Sequence, residues 1–164
     1  GEIALVDDED AHLAALRWHA LPRTSGRGIY AARKMSRLDP RHPGASKTVT
    51  VYLHREVLQA PTGVEVDHVN DADTLDCRRA NLRLATHKQN AANRGPQKNN
   101  TSGFKGVAFD KKNKTNPWMA FLKLDGVRRH LGYFPTPEAA ARAYDAAALA
   151  AWGNFAYQNF PVPR

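Results

Sequence analysis

The sequence predicts an α+β chain, and three observations carry that expectation. Short runs rich in Val, Tyr, Phe and Leu, bounded by Gly, Pro, Asn and Asp, read as brief strands. Asp125-Gly126 stands between two such runs, and this pair supplies the positive φ values that a two-residue hairpin turn requires. Thr136-Pro137-Glu138 offers a capping side chain, a residue tolerated in a first helical turn and an acid, in that order. An alanine-rich stretch then runs to Trp152 before Gly153 stops it.

Taken in order, residues 2–6 read as a short strand, and Asp7-Asp8-Glu9-Asp10 suits the positive end of a helix that carries Leu13, Leu16 and Trp18 inward. Residues 22–28 punctuate the chain, residues 29–34 have strand character, and residues 39–44 form a turn-rich loop. Residues 47–53 alternate Thr48, Thr50 and Tyr52 against Val49, Val51 and Leu53. Residues 1–51 are therefore expected to form a small β-rich support region, and residues 52–96 a separate core. In that core, residues 54–58 form a helical turn before Pro61 and Gly63 reverse the chain. Residues 64–66 make a brief strand, residues 70–76 a polar loop, and residues 86–94 a helix with Thr86 as its cap, ended by Gly95-Pro96.

Residues 97–102 are polar and read as a linker to a last module, residues 103–164. Residues 104–110, 118–124 and 127–134 are its three strands, forming an antiparallel meander. On the following helix Ala140, Tyr144, Ala147 and Ala151 share a stripe, where small side chains let a helix approach a sheet. Alternation turns Trp118, Ala120 and Leu122 toward that helix and leaves Met119, Phe121 and Lys123 on the exposed face.

The net charge of +8 points to a polyanionic partner, because each neutralised phosphate releases condensed counterions. The excess is clustered: residues 78–98 hold six basic and no acidic residues, and residues 101–134 seven basic against two acidic. Nucleic acid is the leading partner, ahead of a membrane surface. Cys77 is the only cysteine, which excludes an internal disulfide and a four-thiolate zinc site and fits a reducing compartment. No apolar run approaches a membrane span and no signal-peptide pattern opens the sequence, so a soluble intracellular protein is expected.

Chemistry concentrates around Asp67-His68, with Asn81 and Asn90 thirteen and twenty-two positions after the histidine. A histidine of ordinary pKa near ~6.5 can deprotonate a water, and carboxylate and amide oxygens are hard ligands suited to Mg²⁺ or Mn²⁺. With the intervening Thr74-Leu75-Asp76, Arg78-Arg79 and Asn81-Leu82-Arg83, this pattern resembles the HNH endonucleases of homing and phage-encoded type. The resemblance implies a ββα-metal core in which Leu53-His54-Arg55 lies on the first strand. It implies His68 as general base, one cation on Asp67 and Asn90, and Asn81 as a structural amide that fixes the backbone presenting His68. The resemblance also puts His54 near the site, and Arg83 and Arg94 are candidate phosphate contacts beside it.

A second resemblance covers the last module. Residues 102–107, Trp118, His130-Leu131-Gly132-Tyr133-Phe134, residues 138–148 and Asn159-Phe160-Pro161 resemble the plant ethylene-response, APETALA-type DNA-binding domain. It implies a sheet laid in the major groove of double-stranded DNA, with Lys105, Phe121, Lys123, Arg128 and His130 at DNA-facing positions. Ala108 and Asp110 stand where arginines are usual, which puts the plant target sequence out of reach. Together the two resemblances imply a homing-type or phage-encoded, metal-dependent DNA endonuclease of a bacterial or phage-infected cytoplasm. As a monomer it would nick one strand, and as a symmetric dimer it would cleave both. The alternatives are a catalytically inactive DNA-binding regulator and a structure-specific nuclease.

Overall fold

The computed structural model describes residues 1–23, 28–36 and 48–161. It is an α+β chain that divides into two compact units, Gly1–His87 and Lys88–Arg164. Among the described residues no helix is long and apolar enough to cross a membrane.

The first unit opens with an extended segment and a 3-10 helix, Asp8–Ala15. Residues 2–6 do not form the expected strand: only Leu5 pairs, in a single parallel bridge to Asp76. The acidic run ahead of Leu13 has a tertiary task instead. Asp7 Oδ2 accepts from Arg79 N at 2.7 Å, and both carboxylate oxygens of the buried Asp10 accept from the Arg79 guanidinium at 2.9 Å. Glu9 also pairs with Arg79. Leu5 N donates to Leu75 O at 2.9 Å, and Cys77 N to Leu5 O at 2.8 Å. The N-terminal segment is thereby laced along residues 75–79.

Three strands follow: β1 (His19–Pro22), β2 (Ile29–Met35) and β3 (Val49–Tyr52), in an antiparallel sheet of that order. Strand β1 has no sequence signal, because it is an edge strand exposed on nearly every residue. The break expected over residues 22–28 lies outside the described residues at 24–27, and the loop expected over residues 39–44 lies wholly outside them. A short helix, α1 (Leu53–Val57), then buries Leu53, His54 and Val57. His54 and Arg55 therefore sit on a helix and not on the first strand of the core, since a helical turn is what brings Leu53 and Val57 to the same interior. Arg55 reverses the chain beyond it, donating to the carbonyls of Val64 (2.6 Å), Ala60 (3.2 Å) and Pro61 (3.0 Å).

Strands β4 (Glu65–His68) and β5 (Leu82–Ala85) form an antiparallel ribbon, followed in the chain by α2 (His87–Asn93). Strand β5 was not expected, being only four residues with two leucines to mark it. The core of this unit gathers Leu13, Ala31, Leu53, Val57, Val66, Cys77 and Leu82. Burial pushes the Cys77 thiol up to about 12, so it is an inert filler.

In the second unit β6 (Val107–Phe109), β7 (Trp118–Leu124) and β8 (Val127–Phe134) form an antiparallel meander against α3 (Pro137–Trp152). Asp125 and Gly126 take φ of 50° and 83°, the paired positive values of a tight hairpin. Thr136 caps α3, its hydroxyl accepting from Ala139 N at 3.2 Å. The buried face of α3 is Ala140, Ala141, Tyr144 and Ala148, so the expected stripe is rotated: Ala147 is half-buried and Ala151 exposed. Gly106 (φ 75°) lies under Tyr144, where a Cβ would meet ring carbons at 2.0 and 2.4 Å. Its missing side chain is the space that the tyrosine ring fills.

Candidate active site

Pairing of β4 with β5 sets Asp67 opposite Arg83 and His68 opposite Leu82. Cross-strand partners share a face and successive residues alternate, so Asp67 and His68 are turned to opposite sides of the ribbon. On one side Arg83 donates from Nε (2.8 Å) and Nη2 (2.6 Å) to Asp67 Oδ2. Asp67 is only 3% exposed, and a carboxylate at that depth requires such a partner. On the other side His68, 4% exposed, meets a cluster of rings. Tyr30 stacks on it with centroids 5.9 Å apart, His54 meets it edge-on at 5.0 Å, and Tyr52 stacks on His54 at 5.5 Å.

Burial pushes the His68 imidazole down to about 4; Arg23 acts in the same direction and Asp71, Asp76 and Asp73 oppose it. Burial likewise lowers His54 to about 3, followed by the effect of His68. The ordinary value near ~6.5 assumed from sequence therefore does not hold inside this ring cluster. Both imidazoles are neutral at neutral pH, so His68 keeps a nitrogen lone pair for a proton. His54 Nδ1 is buried with no hydrogen-bond partner among the described residues.

The loop after His68 is held at four points. Asn81 spans it: Oδ1 accepts from Asn70 N at 2.9 Å, Nδ2 donates to Asp76 O at 2.8 Å, and its main-chain oxygen accepts from Val69 N at 2.8 Å. Asp71 pairs with Arg23 at 2.6 Å, and Arg23 lies 5.3 Å from the Tyr30 ring centre. Buried Thr74 donates to Ile29 O (2.6 Å) and accepts from Ile29 N (3.2 Å), locking the loop to β2. Asp76 takes both a side-chain pair and a main-chain bond from Arg78. Tyr30, Tyr52 and Arg23 were not singled out as site residues in the sequence, and Thr74 entered only as part of the Thr74-Leu75-Asp76 motif. Only the proximity of Tyr52 to His54 in the chain hinted at the ring cluster.

The structure brings His54 to His68 and Arg83 to Asp67. Asn90 lies on α2 and Arg94 just beyond it, both in the second unit. Among the described residues no three His, Cys, Asp or Glu side chains gather into a set that could hold a metal ion. Amide and water oxygens would have to complete any cation site built on Asp67.

On the exposed face of the second unit's sheet, register sets Phe121 opposite His130, Lys123 opposite Arg128 and Met119 opposite Tyr133. The Arg128 guanidinium lies 3.5 Å from the Phe121 ring centre, and the His130 and Tyr133 rings are 4.8 Å apart. Tyr133 donates its hydroxyl to Asp110 at 3.1 Å. Lys105 differs from these: its Nζ donates to the carbonyls of Ala92 and Arg94, each at 2.6 Å.

Comparison with known proteins finds relatives for both parts of the chain. A family model of HNH endonucleases matches residues 51–92. An uncharacterized HNH endonuclease of Acanthamoeba polyphaga mimivirus is 35% identical over 99 residues, covering 60% of this chain and 49% of that protein. Protein 3.8 of Escherichia phage T7 is 36% identical over 66 residues, 40% of this chain and 52% of that protein. An AP2-like ethylene-responsive transcription factor of Arabidopsis thaliana is 46% identical over 48 residues, 29% of this chain and 16% of that protein. The chain thus spans about half the length of its viral relatives and less of the plant one. No solved structure matches. The match over residues 51–92 takes in α1, the β4–β5 ribbon with Asp67 and His68, and all but the last residue of α2; this stretch of the chain is similar to HNH endonuclease domains.

Proposed function

We propose that the chain is a metal-dependent DNA endonuclease in which His68 takes a proton from the attacking water. Asp67 and Asn90 hold a Mg²⁺ or Mn²⁺ ion, and the outer face of the β6–β8 sheet carries the enzyme to double-stranded DNA. The observation that carries this reading is the neutral, buried His68 at the end of β4, presented by a loop that Asn81 ties on both sides. A base must hold an unprotonated nitrogen at working pH, and must be held still while it accepts the proton.

The donor set suits a hard cation, because carboxylate and amide oxygens leave coordination positions for water and substrate phosphate. When bound, such an ion supplies Lewis-acid stabilisation of charge on the phosphate and the leaving oxygen. Arg83 orients the Asp67 carboxylate from across the ribbon, and Asn81 fixes the backbone after His68. On the second unit Phe121, Lys123, Arg128 and His130 present cationic and aromatic groups on one exposed face, a combination that suits phosphate and base contacts. The viral and phage relatives support a virus- or phage-encoded setting; the cytoplasm of the host cell is the place of action that goes with this proposal.

A second reading, a DNA-binding regulator without nuclease activity, has one observation behind it: Asp67 is already engaged by Arg83 and needs no cation to satisfy it. Incubation of supercoiled plasmid and a genomic library with Mg²⁺, beside His68→Ala, separates the two readings when the ends are sequenced. Cutting that is lost in His68→Ala, with DNA binding retained, is expected. Absence of His68-dependent cutting with any divalent cation would leave the regulator. Ends without a shared motif would exclude site-specific homing.

A further inference from the structure

Helix α2 is poorly supported by its own sequence. It has seven residues and buries only Asn93, so neither length nor apolar packing holds it in place. Its last carbonyls need donors from elsewhere. Lys105 provides them through the two 2.6 Å bonds from Nζ to the carbonyls of Ala92 and Arg94, with the ammonium 5.4 Å from the Tyr157 ring centre. A cation at a helix C-terminus also favours the helix dipole. Tyr157 N adds a bond to Ala92 O at 3.3 Å, and at the other end of α2 Lys88 reaches Asp125 at 2.6 Å.

The backbone of Lys105 is itself pinned. Its N–H donates to Asn159 Oδ1 at 2.7 Å, and its carbonyl accepts from Asn159 Nδ2 at 3.1 Å. Asn159 in turn donates N and Nδ2 to Asp145 Oδ1, at 2.8 and 3.0 Å. A continuous path of hydrogen bonds runs from α3 through Asn159 and Lys105 to the end of α2.

We propose that Lys105 is a positioning residue that sets the pose of α2, and with it of Asn90, and is not a contact to DNA. The proposal rests on the reading of Asn90 as a cation ligand. To reach a phosphate, the Lys105 ammonium would have to abandon the carbonyls of Ala92 and Arg94, of which Ala92 O would keep only its 3.3 Å bond from Tyr157 N among the bonds described above. That arrangement departs from what the resemblance to the plant domain implied for this position.

Lys105→Met keeps the aliphatic stem and removes the ammonium, and Lys105→Arg keeps the charge. The full chain carrying each change is measured in three ways: amide hydrogen exchange over residues 87–94, Mn²⁺ affinity, and the salt dependence of DNA binding. Lys105→Met is expected to speed exchange in α2 at least tenfold while β7, β8 and α3 keep their protection. Its Mn²⁺ affinity falls several-fold, and its slope of log K against log salt stays that of the wild type. Lys105→Arg recovers part of both losses. Unchanged exchange in α2, loss of protection throughout the sheet, or fast α2 exchange with wild-type Mn²⁺ affinity would each overturn the proposal. So would a salt slope reduced by about one, the mark of a lost phosphate contact. A wild type that binds no Mn²⁺ would sink the cation reading of Asn90, and α2 exchange would still decide whether Lys105 sets the helix.

Discussion

Asn81 shows how one short side chain can organise a site: an acceptor for Asn70 and a donor to Asp76 leave the loop after His68 no alternative path. Asn81→Ala removes both bonds and leaves two backbone groups in need of partners, a cost of roughly 1–3 kcal/mol. Turnover should fall at least tenfold while Mn²⁺ affinity stays within a factor of about two, since Asn81 shapes the loop and is not a proposed ligand. Single-turnover cleavage and a Mn²⁺ titration on the same preparation check the split. His54 carries a different prediction. Its folded pKa of about 3 lies below the unfolded value of 6.5, so between these the unfolded chain binds the extra proton. Its contribution is complete above pH 6.5 and is lost as pH falls toward about 3, at up to about 1.4 kcal/mol per pH unit. His54→Phe removes that proton, so its stability relative to the wild type should rise between pH 7 and pH 5 in urea unfolding.

At the scale of elements, legibility followed side-chain patterning. The β7–β8 hairpin and α3 were readable because Asp125-Gly126 and Thr136-Pro137-Glu138 encode local backbone geometry that needs no tertiary partner. Strand β1 was not readable, since an exposed edge has no apolar alternation. The helical turn of α1 was readable at residues 54–58, and only the family resemblance set Leu53-His54-Arg55 on a strand. The acidic run at Asp7–Asp10 was legible as a helix start but not as a clamp on Arg79, whose partner lies some seventy residues away in the chain. In the candidate site, Asp67 and His68 stand out in the sequence by residue type and spacing, and the structure shows both buried on one strand. Tyr30, Tyr52 and Thr74 do not stand out in this way, because their role comes from packing between elements. Gly106 gives a test at this scale. Gly106→Ala forces a positive φ on a residue with a side chain and drives Cβ into Tyr144, so it should destabilise the second unit by ~3 kcal/mol or more. Hydrogen exchange of β7 and α3 would report it; unchanged protection there would contradict the account of how that sheet packs.

Across the whole molecule the net charge of +8 belongs to one part of the chain: residues 1–87 hold twelve basic and twelve acidic residues, whereas residues 88–164 hold twelve basic and four acidic, so electrostatic attraction to a polyanion rests on the second unit. Lys123→Ala and Arg128→Ala should each lower the slope of log K against log salt by about one if they meet phosphate. If either reads a base it should instead relax preference at one position. The register adds a further consequence. Lys123 faces Arg128 directly across β7 and β8, and like charges so opposed work against the pairing of their strands. In the free protein, added sodium chloride screens that repulsion and should raise the melting temperature of the sheet. If the sheet binds DNA as proposed, the same salt should weaken that binding. A polyanion laid along this face would relieve the same repulsion, so the ligand that the cations attract would also stabilise the hairpin that carries them.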